Sequence, residues 1–256
     1  MFSWPNGCAA AVSLTFDDGM GSQLMAAFPA MRERGLRGTF YLNPRGSEDD
    51  PRQSMPWREF LALWQPVAEA GNEIGNHSLR HPCSLNIDLD TEWGVTDSNL
   101  ITWTLERIEA DVLEAQRRIA AAFPAQERTS FAYPCYETAV GRGEGRTSYV
   151  PLIARHFVAG RARGDLANDP RFCDLHHLSS WPAERQSGAA LIGLVERCVS
   201  AGRWGIFTFH GINEGHLPVA ATDFAELLDH LVARRDAIWV APVAEVASYI
   251  AEHGTT

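Results

Sequence analysis

Residues 10–19 read AAVSLTFDDG: a short apolar run, Ala10 to Phe16, that stops on two adjacent carboxylates and a glycine. An apolar run of this length that ends at a charged turn is the pattern of a strand buried on both faces. Such strands belong to parallel sheets covered by helices. The next residues repeat the unit. Ser22 to Arg34 reads as a helix stopped by Gly35, with Pro29 an internal disturbance, and Gly38 to Asn43 as the next strand. Ser54 to Ala70 reads as a helix with Pro56 in its first turn and Gly71 after it; Glu73 to Asn76 is a short strand.

The alternation continues. Leu105, Ile108, Val112, Ile119 and Phe123 recur on one helical face, and Ser130 to Tyr133 comes next as a strand. Residues 137–150, rich in Gly and Arg, read as a long loop. Strands are expected at His156 to Ala159, Leu175 to Leu178, Ile206 to His210 and Ala237 to Ala241, with helices at Ala189 to Ala201, after Thr222 and at Val243 to Ile250. No linker, repeat or charge block interrupts residues 1–256, so one domain is expected. Seven or eight such units favour a single-domain (β/α)7-8 barrel over the alternative, an open doubly wound sheet. The first strand is followed by no Gly-rich phosphate loop, which weakens nucleotide-binding readings.

Composition narrows the partners. The chain carries 22 Lys plus Arg against 32 Asp plus Glu, a formal charge of -10, which repels phosphate backbones and anionic lipid. No apolar run approaches the roughly 18 residues of a membrane span, so neither nucleic acid nor membrane is an expected partner. The opening residues lack the basic and apolar regions of a signal peptide, and a cytoplasmic address is expected unless the sequence is a trimmed part of an exported protein. Five cysteines, an odd count without a CxxC pair, read most simply as reduced thiols. Oligomeric state is not legible.

The polar residues fall at strand ends: Asp17 and Asp18 after the first, His77 and His81 after the third, Tyr133, Pro134 and Cys135 after a middle one, His210 after a late one. In a barrel those ends form one face, the face that carries active sites. Asp17 and Asp18 point in different directions at a strand end, so one can ligate a metal while the other serves as a base; a solvated Asp-Gly turn is the bland reading. His77 and His81, four apart, share one face of a helical turn and can reach one ion; a cap or surface pair is their bland reading. One Asp and two His make an open ligand set, which leaves positions for water and substrate.

Taken together, TFDDG at 15–19, HSLRHP at 77–82, FAYPCY at 131–136, the apolar run into His210 and the segment AIWVAPVAEVASYI resemble the polysaccharide deacetylase family, also called the NodB homology domain or carbohydrate esterase family 4, over about residues 10–250. The resemblance implies a distorted (β/α)7 barrel and a hydrolase that removes N- or O-linked acetyl groups from a carbohydrate through activated water. It implies Asp17 as general base, Asp18, His77 and His81 as ligands of one divalent metal, His210 as general acid, and the backbone N–H near Cys135 as oxyanion donor. Zinc is the expected ion, with cobalt, nickel and manganese as alternatives.

Two positions depart from the family pattern. Ala132 stands where an arginine usually pairs with the base, and Arg161, Arg163 and Arg146 are the candidates to supply that charge. Ser179 and Ser180 precede Trp181 where an aspartate usually tunes the catalytic histidine; Asp174 and His177 are the candidates there. Tyr133, Pro134, Cys135 and Trp181 are the expected substrate contacts, with Trp93 a second ring to stack on sugar and Trp57, Trp64 and Trp103 assigned to helix packing. His176 and His177 are pocket-lining candidates, and His216 a rim residue. Three other readings stay open: an amidohydrolase of cyclic amides or ureides on the same fold, a carbohydrate-binding relative without turnover, and a Cys135 thiol nucleophile with His210 as its base.

Overall fold

The computed structural model describes residues 2–84 and 98–254. Its centre is β1 (Ala10–Asp17), every residue of which is buried. The other strands of the main sheet are β2 (Thr39–Leu42), β3 (Glu73–Asn76), β4 (Ser130–Ala132), β5 (Ala159–Arg161), β6 (Trp181–Pro182), β7 (Trp204–Phe209) and β8 (Ile238–Val240). They run β5-β4-β3-β2-β1-β7-β6, with β8 beside the first half of β1, and every pairing is parallel. The sheet curls into a half-barrel. Between its two ends, N–H groups of Gly160, Ala162 and Gly164 donate to the carbonyls of Leu175, Leu178 and Ser180. The barrel reading is therefore the correct one, and the open doubly wound sheet is not.

Around the sheet lie α1 (Phe28–Glu33), α2 (Trp57–Ala62), α3 (Gln65–Glu69), α4 (Leu105–Ala122), α5 (Val150–His156), α6 (Gly188–Ala201), α7 (Ala221–Ala233) and α8 (Val243–His253). Alternation along the strands sorts side chains to two sides. Leu14, Phe16, Phe40, Phe207 and Phe209 face the helices and enter the largest apolar cluster, while Ser13, Thr15 and Thr208 turn inward and bond across the interior. None of the helices is long and apolar enough to cross a membrane among the described residues.

Prolines account for the expected helices that came out differently. The segment from Ser22 begins as a π turn, Gln23–Ala27, before α1, because Pro29 at the second position of α1 has no N–H to donate. Pro66 divides the helix expected over 54–70 into α2 and α3, with Trp64 fully buried at the break. Other differences are local. His156 ends α5 and β5 begins at Ala159; Leu175 to Leu178 is turns with one bridge at Leu178, and the strand forms later, as β6. Residues 137–150 hold a small antiparallel pair, Ala139–Val140 with Thr147–Ser148.

The cysteines correct one expectation. Cys83 and Cys135 form a disulfide across 52 residues, while Cys8, Cys173 and Cys198 are free. Cys135 therefore has no thiol to act as nucleophile. Odd counts allow a mixture of bonded and free residues, and spacing alone does not reveal a pair that only the fold brings together.

Candidate active site

The C-terminal ends of β1, β2, β3, β4, β5 and β7 open on a cleft of about 750 Å³, lined by Asp17, Asp18, His77, His81, Tyr136 and His210 among others. That volume suits a small ligand.

Asp17 closes β1 and is buried. The Arg161 Nη2 donates to both its oxygens, at 2.7 and 2.5 Å. Burial alone would raise the Asp17 carboxyl, but Arg161, His77 and His210 together hold it below the usual aspartate range. Arg161 is itself fully buried, with its guanidinium over the rings of Tyr41 and Tyr136 at 5.2 and 5.3 Å and its Nη1 donating to Thr208 Oγ1. The strand register explains how it arrives there. Arg161 on β5 pairs level with Ala132 on β4, so both face the interior from neighbouring strands. Alanine leaves the room, and the next strand supplies the charge. Of the three arginines considered, Arg161 is the one that reaches Asp17.

Asp18 comes next in a left-handed conformation, φ 72°, and Gly19 continues the turn at φ 64°. A Cβ on Gly19 would stand 2.8 Å from the Phe60 ring, so glycine is required there on both counts. Asp18 Oδ1 lies 3.6 Å from His77 Nε2 and 3.5 Å from His81 Nε2, and one ligand atom from each of the three falls within 4.8 Å of the others.

The histidines sit on an irregular loop, not on the helical turn expected from their spacing. Ser78 and His81 both have positive φ. Local side chains build the loop: Asn76 Oδ1 accepts from Ser78 N–H, Ser78 Oγ accepts from His81 N–H, and Asp111 Oδ1 on α4 accepts from the N–H groups of Leu79 and Arg80. Asn43, after β2, donates to the His77 and Ser78 carbonyls.

The donor set fits a divalent ion. His77 Nδ1 is 2.9 Å from the Ala132 carbonyl, which fixes the proton on Nδ1 and leaves the Nε2 lone pair facing Asp18. Burial pushes the His77 imidazolium down to about 4, so the ring is neutral, as ligation requires, over the physiological range.

His210 lies just beyond β7, with Nε2 3.9 Å from Asp18 Oδ2. Gln23, fully buried, ties the two halves of the site by donating from Nε2 to the main-chain carbonyls of Asp17 and His210. Sequence reading does not find Gln23, because a lone Gln at the start of a helix carries no signal.

The third group of residues is placed differently from expectation. Pro134, Cys135 and Tyr136 form a tight turn with positive φ at Cys135 and Tyr136. The N–H groups of Tyr136 and Glu137 are spent on the carbonyls of Tyr133 and Pro134; the Cys135 N–H is not among these turn bonds. The ring of Tyr133 turns away into the second apolar cluster, where its hydroxyl donates to the His176 carbonyl. Its ring packs there although the residue lines the cleft, and Tyr136 lines the cleft beside it. Trp181 also faces outward: it is 9% exposed, lies 5.6 Å from the Phe207 ring and donates from Nε1 to the Asp165 carbonyl. Odd and even positions of β6 point to opposite sides, so Trp181 joins the helix-facing core and is not a sugar platform. Trp93 lies outside the described residues. His216 lines the cleft, whereas His176 and His177 do not. Ser180 faces inward, bonded to the Ala162 carbonyl and Thr208 Oγ1.

Among the described residues, five of the eight non-glycine residues with positive φ, namely Asp18, Ser78, His81, Cys135 and Tyr136, belong to these loops. Backbone strain of this kind concentrates where geometry is functionally constrained.

The sequence profile of the polysaccharide deacetylase family matches residues 5–139. That span takes in Asp17, Asp18, His77, His81 and Cys135 but stops before Arg161 and His210. Solved structures share the fold. A candidate polysaccharide deacetylase from Mycobacterium smegmatis superposes with TM-score 0.58 at 18% identity over 99% of this chain and 94% of its own. The peptidoglycan deacetylase PdaC from Bacillus subtilis gives 0.53 at 16% over 95% and 92%. The carbohydrate esterase family 4 pseudoenzyme BA3943 from Bacillus anthracis gives 0.52 at 19%, over 93% of this chain and 65% of its own. No curated protein matches the chain significantly.

Proposed function

Because the chain belongs to the polysaccharide deacetylase family, we propose that it is a metal-dependent hydrolase that removes acetyl groups from a carbohydrate. One observation carries the reading. The buried Asp17–Arg161 pair, the Asp18, His77 and His81 donor set and His210 all converge on one cleft.

A divalent ion bound by Asp18, His77 and His81 supplies Lewis acidity, which lowers the pKa of water toward about 7 and polarises a carbonyl. The chain does the rest. Asp17, kept as a carboxylate by Arg161, receives the proton of the attacking water. The Cys135 N–H donates to the oxygen that becomes negative as the acetyl carbon turns tetrahedral. His210 Nε2 gives a proton to the departing sugar nitrogen or oxygen. Acetate and a free amine or alcohol result.

Acetate release from a panel of acetylated sugars tests the reading. Activity is expected from the untreated protein, and loss on chelation with recovery on adding zinc or cobalt. Release from cyclic ureides and not from acetylated sugars favours the amidohydrolase alternative. Glycan binding without turnover favours the non-catalytic one, which the complete residue set argues against. We also place the reaction in an oxidising compartment, because the Cys83–Cys135 disulfide is a bond that the reducing cytosol disfavours. A cytoplasmic location instead predicts five titratable thiols in protein isolated under denaturing, alkylating conditions.

A further inference from the structure

Two buried polar atoms, on residues just past the ends of the neighbouring strands β6 and β7, have no partner among the described residues, and they are complementary. One is Nδ1 of His210, a ring nitrogen that can donate; the other is Oε2 of Glu184, a carboxylate oxygen that accepts. Both residues line the catalytic cleft. The strand register brings them level. Trp181 pairs with Phe207 and Pro182 with Thr208, and the Ala183 N–H continues the pattern by donating to the Thr208 carbonyl. Continued two residues past the last pair, Pro182 with Thr208, the same offset would set Glu184 against His210. Alternation agrees: Trp181, Ala183, Phe207 and Phe209 belong to the helix-facing core, so Pro182, Glu184, Thr208 and His210 share the opposite side.

We propose that Glu184 is the positioning residue of His210: its carboxylate takes the Nδ1–H of the imidazole in the working enzyme. The inference rests on the assignment of His210 as the general acid above. A buried donor and a buried acceptor that are each left unpaired both oppose folding, and a bond between them would satisfy both. The bond fixes the ring orientation and the tautomer. Nδ1 keeps its hydrogen throughout, while Nε2 passes its proton to the leaving oxygen or nitrogen as the bond to the acetyl carbon breaks. The neutral ring is then reprotonated at Nε2 from solvent. Neither Asp174 nor His177 lines the cleft, and Ser180 is committed to Ala162 and Thr208. Glu184 is the acid left on this side of the cleft among the described residues. It lies outside the stretch matched by the family profile, and its spacing from Trp181 offers no motif by which to recognise it.

The test compares two acetate esters that differ in their need for an acid. 4-Nitrophenyl acetate expels a stable anion and needs no proton; fully acetylated xylose must have its alkoxide protonated. Glu184→Ala is expected to lower kcat on the acetylated xylose by about 10- to 100-fold with KM little changed, the loss expected when the residue that orients a working side chain is removed. Its activity on 4-nitrophenyl acetate should stay within about twofold, well short of the contribution of an acid catalyst. Glu184→Gln, which keeps an acceptor oxygen, should recover part of the loss. His210→Ala should show the same discrimination more strongly, and the double variant should lose no more than His210→Ala alone. Equal effects of Glu184→Ala on the two esters, alongside a discriminating His210→Ala, overturn the pairing and leave the acid role of His210 standing. A His210→Ala variant that does not discriminate overturns that role and the pairing with it.

Discussion

Arg161 grips both oxygens of Asp17 from a position level with Ala132 on the adjacent strand. The charge partner of the proposed base has thus moved one strand sideways without changing the point at which it acts. Arg161→Ala strands a buried carboxylate. The expected cost is about 3–5 kcal/mol of stability and a loss of at least about 100-fold in kcat. The relocated variant, Arg161→Ala with Ala132→Arg, returns the guanidinium from β4 and should recover a measurable share of both. Urea denaturation and acetate release on the three proteins decide it. A double variant no better than Arg161→Ala shows that the position of the arginine, and not only its charge, matters.

Asp111 on α4 holds the loop between the two histidines through the Leu79 and Arg80 N–H groups. Asp111→Ala leaves the Leu79 N–H buried and unpaired and frees the part-buried N–H of Arg80. It should cost about 1–3 kcal/mol and weaken zinc or cobalt binding by about 10- to 100-fold, although Asp111 is not itself a ligand. The carboxyl also sets a pH dependence. Burial raises it to about 6, against the opposing pull of the two N–H groups. A carboxyl that binds its proton more tightly in the folded protein favours folding most at low pH, and this contribution declines as pH rises through about 4 to 6. Asp111→Asn keeps the accepting oxygen and cannot ionise, so its stability curve should lose that decline. Chemical denaturation of both proteins at pH 4.5 and 7 reads the difference.

How far the sequence reveals the site depends on the range of the interaction. Asp17 and Asp18 are legible because they end an apolar run, and His77 and His81 because they follow a short strand with a spacing of four; strand ends share one face whatever the details of the barrel. Arg161 is one of three candidates; only the register with Ala132 decides among them, and register is a property of pairing, not of either strand. Trp181, and the ring of Tyr133 although that residue lines the cleft, depart from expectation for a related reason. Being next to a motif does not say which side of the strand a ring occupies, and both rings take the side facing the helices. The Cys83–Cys135 pair is hidden because its partners are 52 residues apart. The helix at 54–70 reads as continuous although Pro66 stands within it, a local signal that periodicity outweighs.

That disulfide joins Cys83, two residues after His81, to the turn that carries Cys135; positive φ occurs at His81 on one side and at Cys135 and Tyr136 on the other. Closing a loop of that length removes about 4 kcal/mol of unfolded-state entropy in the chain-entropy account. Cys83→Ser with Cys135→Ser should therefore lower the thermal midpoint. It should also reduce acetate release at temperatures where circular dichroism shows the barrel still folded, because the two strained turns lose their tether. Mild reduction of the unmodified protein should do the same and reverse on reoxidation. Full activity in the reduced, folded protein makes the bond a stabiliser only.

The proposed ligands differ in burial, and this separates ligation from packing. Asp18 and His81 are about a third exposed at the side chain, while His77 is buried and bonded to the Ala132 carbonyl. Asp18→Ala and His81→Ala should abolish stoichiometric cobalt binding, followed by the visible absorption of the bound ion. They should change the stability of the metal-free protein by less than about 1 kcal/mol, because exposed polar side chains contribute little to folding. His77→Ala should abolish binding too, but with a stability cost of about 1–3 kcal/mol from the carbonyl it leaves unpaired in the core. Adding cobalt should raise the thermal midpoint of the unmodified protein, since an ion that binds only the folded state stabilises it in proportion to the logarithm of its concentration. None of the three variants should show that rise. A variant of Asp18 or His81 that still binds cobalt one to one removes that residue from the ligand set, and the third donor would then have to come from another residue of the cleft, such as His210.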